Sequence, residues 1–305
     1  MKVAVLGGSG FVGAVVAERL AGAGLGVRVV ARNPGWSPHE VVRADLTEPG
    51  RVAEVVAGVD VVLSLVLHTG SGSWRVGPGQ AAAAEAVNVG IVRAAAASGV
   101  PVVVAGSTSQ VGPGWERIDG SEPDAPESEY DRQKLAAERI VVAAGGCCLR
   151  LPTVYGPGPL DRGVVSAMAR RAMAGEALTV WGDGSMLRDL VFVEDVAEAF
   201  LLAVRHLDAL RGRHWVIGSG QGVPVRTVFE MIAAAVAERT GRPPVPVLSV
   251  PPPPHATAMD LRGLVADPRA FTEVTGWRAA TGLAEGVARV VASTKDTAGT
   301  PILGP

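Results

Sequence analysis

Apolar residues along this chain fall into two kinds of segment: short continuous runs, and longer stretches where they recur every three or four positions. The first suits a strand buried on both faces and the second an amphipathic helix. Residues 3–6 (VAVL) and 27–31 (VRVVA) read as buried strands, with a helix over residues 11–23 between them. Residues 41–42, 59–66, 102–105 and 147–151 continue the strand series, and helices over 48–57, 80–98 and 128–144 connect them. This alternation predicts an α/β fold on a parallel sheet, doubly wound so that helices cover both faces. After Pro152 the rhythm loosens. The stretches YGPGPLDRG, WGDGS and PPPPH separate shorter elements there, as in a lobe that faces a ligand. No repeat of fixed period is present, and the small, polar tail from 294 to 305 is expected to be mobile.

Composition narrows the picture modestly. With 305 residues, 48% hydrophobic and 19% charged, the chain suits one large domain, or a domain with a smaller lobe. A formal net charge of -2 gives no reason to expect a nucleic-acid or anionic-membrane partner. Cys147 and Cys148 are adjacent in an apolar run and read as small buried hydrophobes of a reducing compartment. The first apolar run is too short and glycine-broken for a leader or a membrane span, so a cytoplasmic protein is expected. No metal site is expected. Only three lysines, Lys2, Lys134 and Lys295, stand against 25 arginines, so each lysine invites inspection.

Two motifs carry chemistry. GGSGFVG sets Gly7, Gly10 and Gly13 between the first strand and the first helix, with Phe11 and Val12 opening that helix. Glycine permits the tight turn and lets the backbone approach a pyrophosphate, while the helix N-terminus offers free N–H groups and a positive dipole end. In that context the turn is a dinucleotide-binding candidate. The second strand ends in Ala31-Arg32-Asn33, with no acid to accept the ribose 2′-hydroxyl of NAD. An arginine there can pair with a 2′-phosphate, so Arg32 and Asn33 favour NADPH. Asp45, beside Leu46 in ADL, either meets the adenine amino group or caps the next turn.

The second motif is EYDRQK. A helix puts Tyr130 and Lys134 on one face, and Ser128 with Asp131 resembles a capping box that sets the tyrosine in the first turn. With two tyrosines and three lysines in the chain, this spacing arises by chance with odds of roughly 0.02. A phenol of pKa near ~10 needs a neighbouring ammonium to shuttle protons at neutral pH, which is the role expected of Lys134. The strand at 102–105 runs into Ser107-Thr108-Ser109-Gln110 at a carboxyl strand end. A hydroxyl there either bonds a reacting carbonyl or forms a Ser/Thr turn.

Taken together, GGSGFVG, VNVGIVRAAAASGV, GSTSQVG, YDRQK, LRLPTVYGPG, VWGDGSMLRDLVFVEDVAEAF and VADPRAFTEVTGWRA resemble the extended short-chain dehydrogenase/reductases that act on nucleotide sugars, over residues 1–293. The resemblance implies a Rossmann-type domain over 1–152, with a return segment near 190–217. It also implies a smaller C-terminal α/β nucleotide-sugar lobe over 153–189 and 218–293, and a homodimer through a four-helix bundle. Carried over by position, Thr108, Tyr130 and Lys134 match the catalytic Ser/Thr, Tyr and Lys. Tyr130 and Lys134 would also touch the cofactor, and Thr108, Ser109 and Tyr130 the substrate. Asn88 matches an asparagine beneath the active site, and Arg188 an arginine on the nucleotide pyrophosphate.

Departures from the family pattern choose among its reactions. Sugar 4,6-dehydratases follow the threonine with Asp-Glu, where this chain has Ser109-Gln110, so elimination of water is disfavoured. The 4-epimerases often show an acid after the second strand, where this chain has Arg32. What remains is NADPH-dependent reduction of the C4 ketone of a nucleoside-diphosphate 4-keto-6-deoxyhexose, with dTDP as the expected nucleotide. A 4-epimerase retaining NAD is the alternative, and a non-catalytic NADPH sensor a more distant one. HTGSGSWRVGPG, with His68, Trp74 and Arg75, replaces a plainer family loop and reads either as a substrate-facing lid or as a surface loop without function.

Overall fold

The computed structural model describes residues 1–35, 37–69, 75–77, 79–158, 163–253, 256 and 260–295. The chain begins with β1 (Lys2–Leu6), α1 (Phe11–Gly22), β2 (Gly26–Ala31), β3 (Glu40–Arg43), α2 (Arg51–Val56) and β4 (Val61–Ser64). It continues with α3 (Ala81–Glu85), a π turn (Ala86–Gly90), α4 (Ile91–Ala97), β5 (Val102–Ser107) and a 3-10 turn (Thr108–Val111). Next come β6 (Arg117–Ile118), α5 (Glu129–Ala143), β7 (Cys147–Leu151), β8 (Thr153–Tyr155), α6 (Val164–Met173), β9 (Leu178–Trp181) and β10 (Leu187–Phe192). The last elements are α7 (Val193–Arg205), α8 (Leu207–Leu210), β11 (His214–Val216), β12 (Gly222–Pro224), α9 (Val225–Thr240), β13 (Val247–Val250), β14 (Val265–Ala266), α10 (Arg269–Thr275) and α11 (Leu283–Ser293).

Seven strands form one sheet in the order β11-β7-β5-β4-β1-β2-β3, and every pairing is parallel. The chain winds outward from β1 in both directions, which leaves a switch point between β1 and β4 at the carboxyl strand ends, where ligands of such sheets bind. The two-residue period of β1 explains why helices are needed on both faces. Val3 and Val5 pack with Val16 and Leu20 of α1 and Val196 and Phe200 of α7, while Ala4 and Leu6 pack with Val55, Ile91, Val92 and Val141. Each such fully buried Val or Leu contributes about 1.5–3 kcal/mol.

A smaller lobe contains the sheet β12-β10-β8 and the pair β13-β9, with a separate apolar core from Val165, Leu178, Phe229 and Val290. Within residues 190–217, α7 and β11 join the larger sheet, while β10 pairs with β8 and β12. Cys147 and Cys148 are free and buried in β7.

Three local expectations need correction. The helix expected over 80–98 is interrupted by the π turn, whose extra residue turns Asn88 into the interior. Such turns recur at functional sites. The strand expected over 59–66 pairs only from Val61 to Ser64. Thr294, assigned to a mobile tail, is buried; its hydroxyl donates to Val290 O at 2.9 Å and its carbonyl accepts from Arg239 Nη1 at 2.8 Å. Residues 296–305 lie outside the described residues. Among the described residues no helix is long and apolar enough to cross a membrane, and no three metal-ligating side chains cluster.

Candidate active site

The glycine turn is fixed by sterics. Gly7 has φ +83°, a backbone region that side chains disfavour, and a Cβ on it would lie 3.0 Å from the Leu65 carbonyl. A Cβ on Gly13 would fall 2.2 Å from Gly7 O, so α1 can seat against the turn only because position 13 is glycine. No side chain caps α1, which leaves its first amides as donors for an anion. The donors and the cradle that a side chain would fill fit a dinucleotide pyrophosphate.

A cleft of 1390 Å³ opens from this turn across the carboxyl edge of the sheet into the smaller lobe. That volume exceeds the roughly 300–1,000 Å³ of an ordinary small-ligand pocket and has room for two ligands side by side. Its walls include Gly7, Gly10, Phe11, Val12 and Gly13 at one end, with Arg32, Asn33, Asp45 and Leu46 beside them. Thr108, Ser109 and Tyr130 line the middle, and Arg188 lines the far part. Arg32 is exposed, with Asp45 near enough for its charge to be felt. Hydrogen bonds from Thr47 Oγ1 (2.7 Å) and N–H (3.0 Å), helped by the Arg32 charge, hold the Asp45 carboxyl below its usual range. Asp45 therefore caps the next turn and also lines the cleft.

The proton-transfer group is built at the start of α5. Ser128 and Asp131 form the expected capping box, with both arms made: Asp131 N–H donates to Ser128 Oγ at 3.1 Å, and Ser128 N–H to Asp131 Oδ2 at 3.2 Å. Tyr130 sits in the first turn, half-buried, and its hydroxyl is hydrogen-bonded to that of Ser107. Lys134 is buried, with Nζ 5.8 Å from the Tyr130 ring centroid and donating to Ala105 O at 2.9 Å. It is not among the residues that line the cleft. Burial pushes the Tyr130 phenol up to about 12, against a lowering by Ser107, and pushes the Lys134 ammonium down to about 8. The sequence expectation that Lys134 lowers the phenol is thus not met in this state, because the ammonium is turned onto a strand carbonyl.

The hydroxyl cluster also differs from expectation. Thr108 is buried on the cleft wall, but the hydroxyl bonded to Tyr130 belongs to Ser107, which sequence reasoning left undistinguished. Ser109 lines the cleft, yet its hydroxyl is engaged by the Asp131 carboxylate and lies 2.7 Å from Ser107 Oγ. Gln110 is fully buried behind the turn, accepting from Ser107 N–H at 2.7 Å and donating to Glu138 Oε2 at 2.9 Å. Glu138 in turn receives Arg150 at 2.6 and 2.9 Å and His214 Nδ1 at 3.2 Å, and Arg150 reaches Asp124 at 2.6 Å. This network clamps the Ser107–Gln110 turn to the helix that carries Tyr130. Asn88 accepts from His68 N–H at 2.8 Å and donates to Gln133 at 2.8 Å, tying the chain after β4 to α5.

The expected lid residues separate. His68 is half-buried and not on the cleft wall, and Trp74 lies outside the described residues. Arg75 does line the cleft and is ion-paired with Asp260. Arg188 donates to Asp260 O at 2.6 Å, Leu187 O at 3.1 Å and Arg262 O, which holds its guanidinium at the cleft surface.

Comparisons with known proteins agree with this layout. The family model described as the NAD dependent epimerase/dehydratase family matches residues 3–218. The UDP-glucose 4-epimerase of Mycolicibacterium smegmatis is 30% identical over 95% of this chain and 97% of its own. The dTDP-6-deoxy-L-talose 4-dehydrogenase (NAD(P)(+)) of Kitasatospora kifunensis is 30% identical over 90% of each chain. Among solved structures, MoeE5 in complex with UDP-glucuronic acid and NAD superimposes with a TM-score of 0.82 at 30% identity, over 96% of this chain and 99% of that one. By its sequence motifs, its fold and this match over most of its length, the chain belongs to the NAD dependent epimerase/dehydratase family.

Proposed function

We propose that this protein reduces the C4 ketone of a nucleoside-diphosphate 4-keto-6-deoxyhexose, most simply a dTDP sugar, using NADPH. When bound, the cofactor supplies the hydride. Gly7, Gly10 and Gly13 admit its pyrophosphate, Arg32 pairs with its 2′-phosphate, and Lys134 turns from Ala105 O to its nicotinamide ribose. Arg188 receives the sugar-nucleotide diphosphate, and Thr108 steadies the ketone oxygen. Tyr130 gives that oxygen its proton as carbon is reduced. The observation that carries the reading is the filling of positions 109 and 110. Ser109 is engaged with Asp131 and Gln110 is buried against Glu138, so no carboxyl stands in these places to eliminate water.

Cofactor preference tests the reading directly. Arg32→Asp is expected to weaken NADPH binding by about 10- to 100-fold, the loss of a hydrogen bond to a charged group, while sparing NADH. Fluorescence titration with both nucleotides measures it. The epimerase reading is kept as a rival because one relative is a 4-epimerase and MoeE5 was solved with NAD. NAD that co-purifies, or equal affinity for NADH, would put that rival first.

A pH effect follows from Lys134. Its ammonium, pushed down to about 8 by burial, is lost as pH rises through that value in the free enzyme. kcat/KM for NADPH is therefore expected to fall above pH about 8, and Lys134→Met to flatten that limb at a low level.

A further inference from the structure

We infer that Gln110 is a positioning residue of the reaction: an amide at this place locks the turn that holds Ser107 and Thr108 beside Tyr130, and a carboxylate cannot. The inference rests on the proposed roles of Thr108 and Tyr130, and is indifferent to which sugar carries the ketone.

Gln110 is fully buried in the 3-10 turn and is not among the residues that line the cleft. Its Oε1 accepts from Ser107 N–H at 2.7 Å, which closes the capping box of that turn. Its Nε2 donates to Glu138 Oε2 at 2.9 Å, which ties the turn to the helix that carries Tyr130. Its backbone carbonyl accepts from Ala125 N–H at 3.0 Å. Gly106 leaves the space that the amide occupies: a Cβ there would lie 3.0 Å from Gln110 Oε1 and 2.5 Å from Cys148 Sγ.

Chemistry dictates which way the amide points. Ser107 N–H can only donate, and the Glu138 carboxylate, which against burial His214 and Arg150 keep ionised, can only accept. Position 110 must therefore present one acceptor and one donor, as an amide does. An ionised carboxyl of the same shape presents two acceptors and no donor. The charged and titratable groups around it are Glu138 of α5, Arg150 and Cys148 of β7, His214 of β11 and Asp124 before α5. Arg150 and His214 already pair with Glu138, so a second carboxylate adds a negative charge and no counter-charge. Burial and the Glu138 charge both favour a proton on that pair, and a protonated carboxyl again offers one donor and one acceptor.

The test is Gln110→Glu, with Gln110→Met as a control that lacks both donor and acceptor. Each is compared with the parent protein at the same pH, from pH 5 to pH 8, with NADPH and a dTDP-4-keto-6-deoxyhexose. In Gln110→Glu, kcat is expected to match the parent at the acid end, where the pair keeps its proton. Towards pH 8 it is expected to fall about 10- to 100-fold below the parent, the cost of a misplaced turn. KM for NADPH stays at the parent value, since Gln110 does not line the cleft. Gln110→Met is expected to be impaired to the same degree at every pH. Labelling with [¹³Cζ]tyrosine gives signals from Tyr130 and Tyr155 alone and needs no substrate. In Gln110→Glu the Tyr130 resonance is expected to coincide with the parent at low pH and to move away as the pair ionises, with Tyr155 stationary. A kcat and a Tyr130 resonance that follow the parent at every pH would overturn the inference, and so would a loss equal to that of Gln110→Met throughout. Absence of turnover by the parent on any ketosugar would instead overturn the substrate reading, and the Tyr130 resonance would then decide the positioning role by itself.

Discussion

Tyr130→Phe is expected to bind NADPH with unchanged affinity and to lose turnover by about 10²–10⁴-fold, the contribution of a positioned general acid. The variant deletes one hydroxyl. The ring keeps its place in the first turn of α5, because the turn is set by the Ser128–Asp131 box and not by the phenol. What disappears is the proton donor bonded to Ser107 on the cleft wall. Burial holds the phenol near 12, so it is a protonated donor at neutral pH. Single-turnover NADPH oxidation separates this loss from any change in binding, and turnover within a few-fold of the parent protein would remove Tyr130 from the mechanism.

The largest expected effect on stability comes from Arg150→Met. Arg150 is fully buried in β7 beside Gly106, whose missing side chain leaves room for the guanidinium stem. Methionine has similar length but leaves buried Glu138 without its main counter-charge, and such half-broken buried pairs cost about 3–5 kcal/mol. In a chain of this size that corresponds to a fall in Tm of roughly 5–8 °C. The pH dependence gives a second signature. Burial pushes the Glu138 carboxyl up, but hydrogen bonds from His214 and Arg150 and the arginine charge outweigh it and hold it well below its ordinary 4.5. A carboxyl lowered in the folded state contributes stability above its unfolded pKa, and that contribution fades as pH falls through the folded value. The deficit of Arg150→Met should thus be full above pH 4.5 and shrink below it. Differential scanning calorimetry from pH 3 to pH 8 reads both features. A constant deficit across that range would assign the loss to packing alone.

These two residues also mark what the sequence could and could not disclose. Tyr130 was legible because its partners are local: the cap two residues before it and the lysine four after it follow from helical spacing. The glycine turn was legible for the same reason, since sterics within GGSGFVG dictate it. Arg150 was not legible. Its partners Glu138, Asp124 and, through them, Gln110 and His214 come from separate elements, and they meet only because β7 pairs between β5 and β11. Ser107 was hidden by its neighbours, as alternation of a strand end with a 3-10 turn decides which of three adjacent hydroxyls faces the tyrosine. Asp131 announced its cap but not the bond from Ser109, which lies 22 residues back in the chain. Sequence spacing also showed Lys134 on the right face without showing that its ammonium is turned to β5.

The most direct measurement of the central claim is the stoichiometry of NADPH oxidation when purified protein meets a dTDP-4-keto-6-deoxyhexose. One NADPH consumed for each sugar alcohol formed is the expected result, with no nucleotide retained by the protein beforehand. Tightly held NAD, C4 epimers interconverting and no NADPH consumed would contradict it.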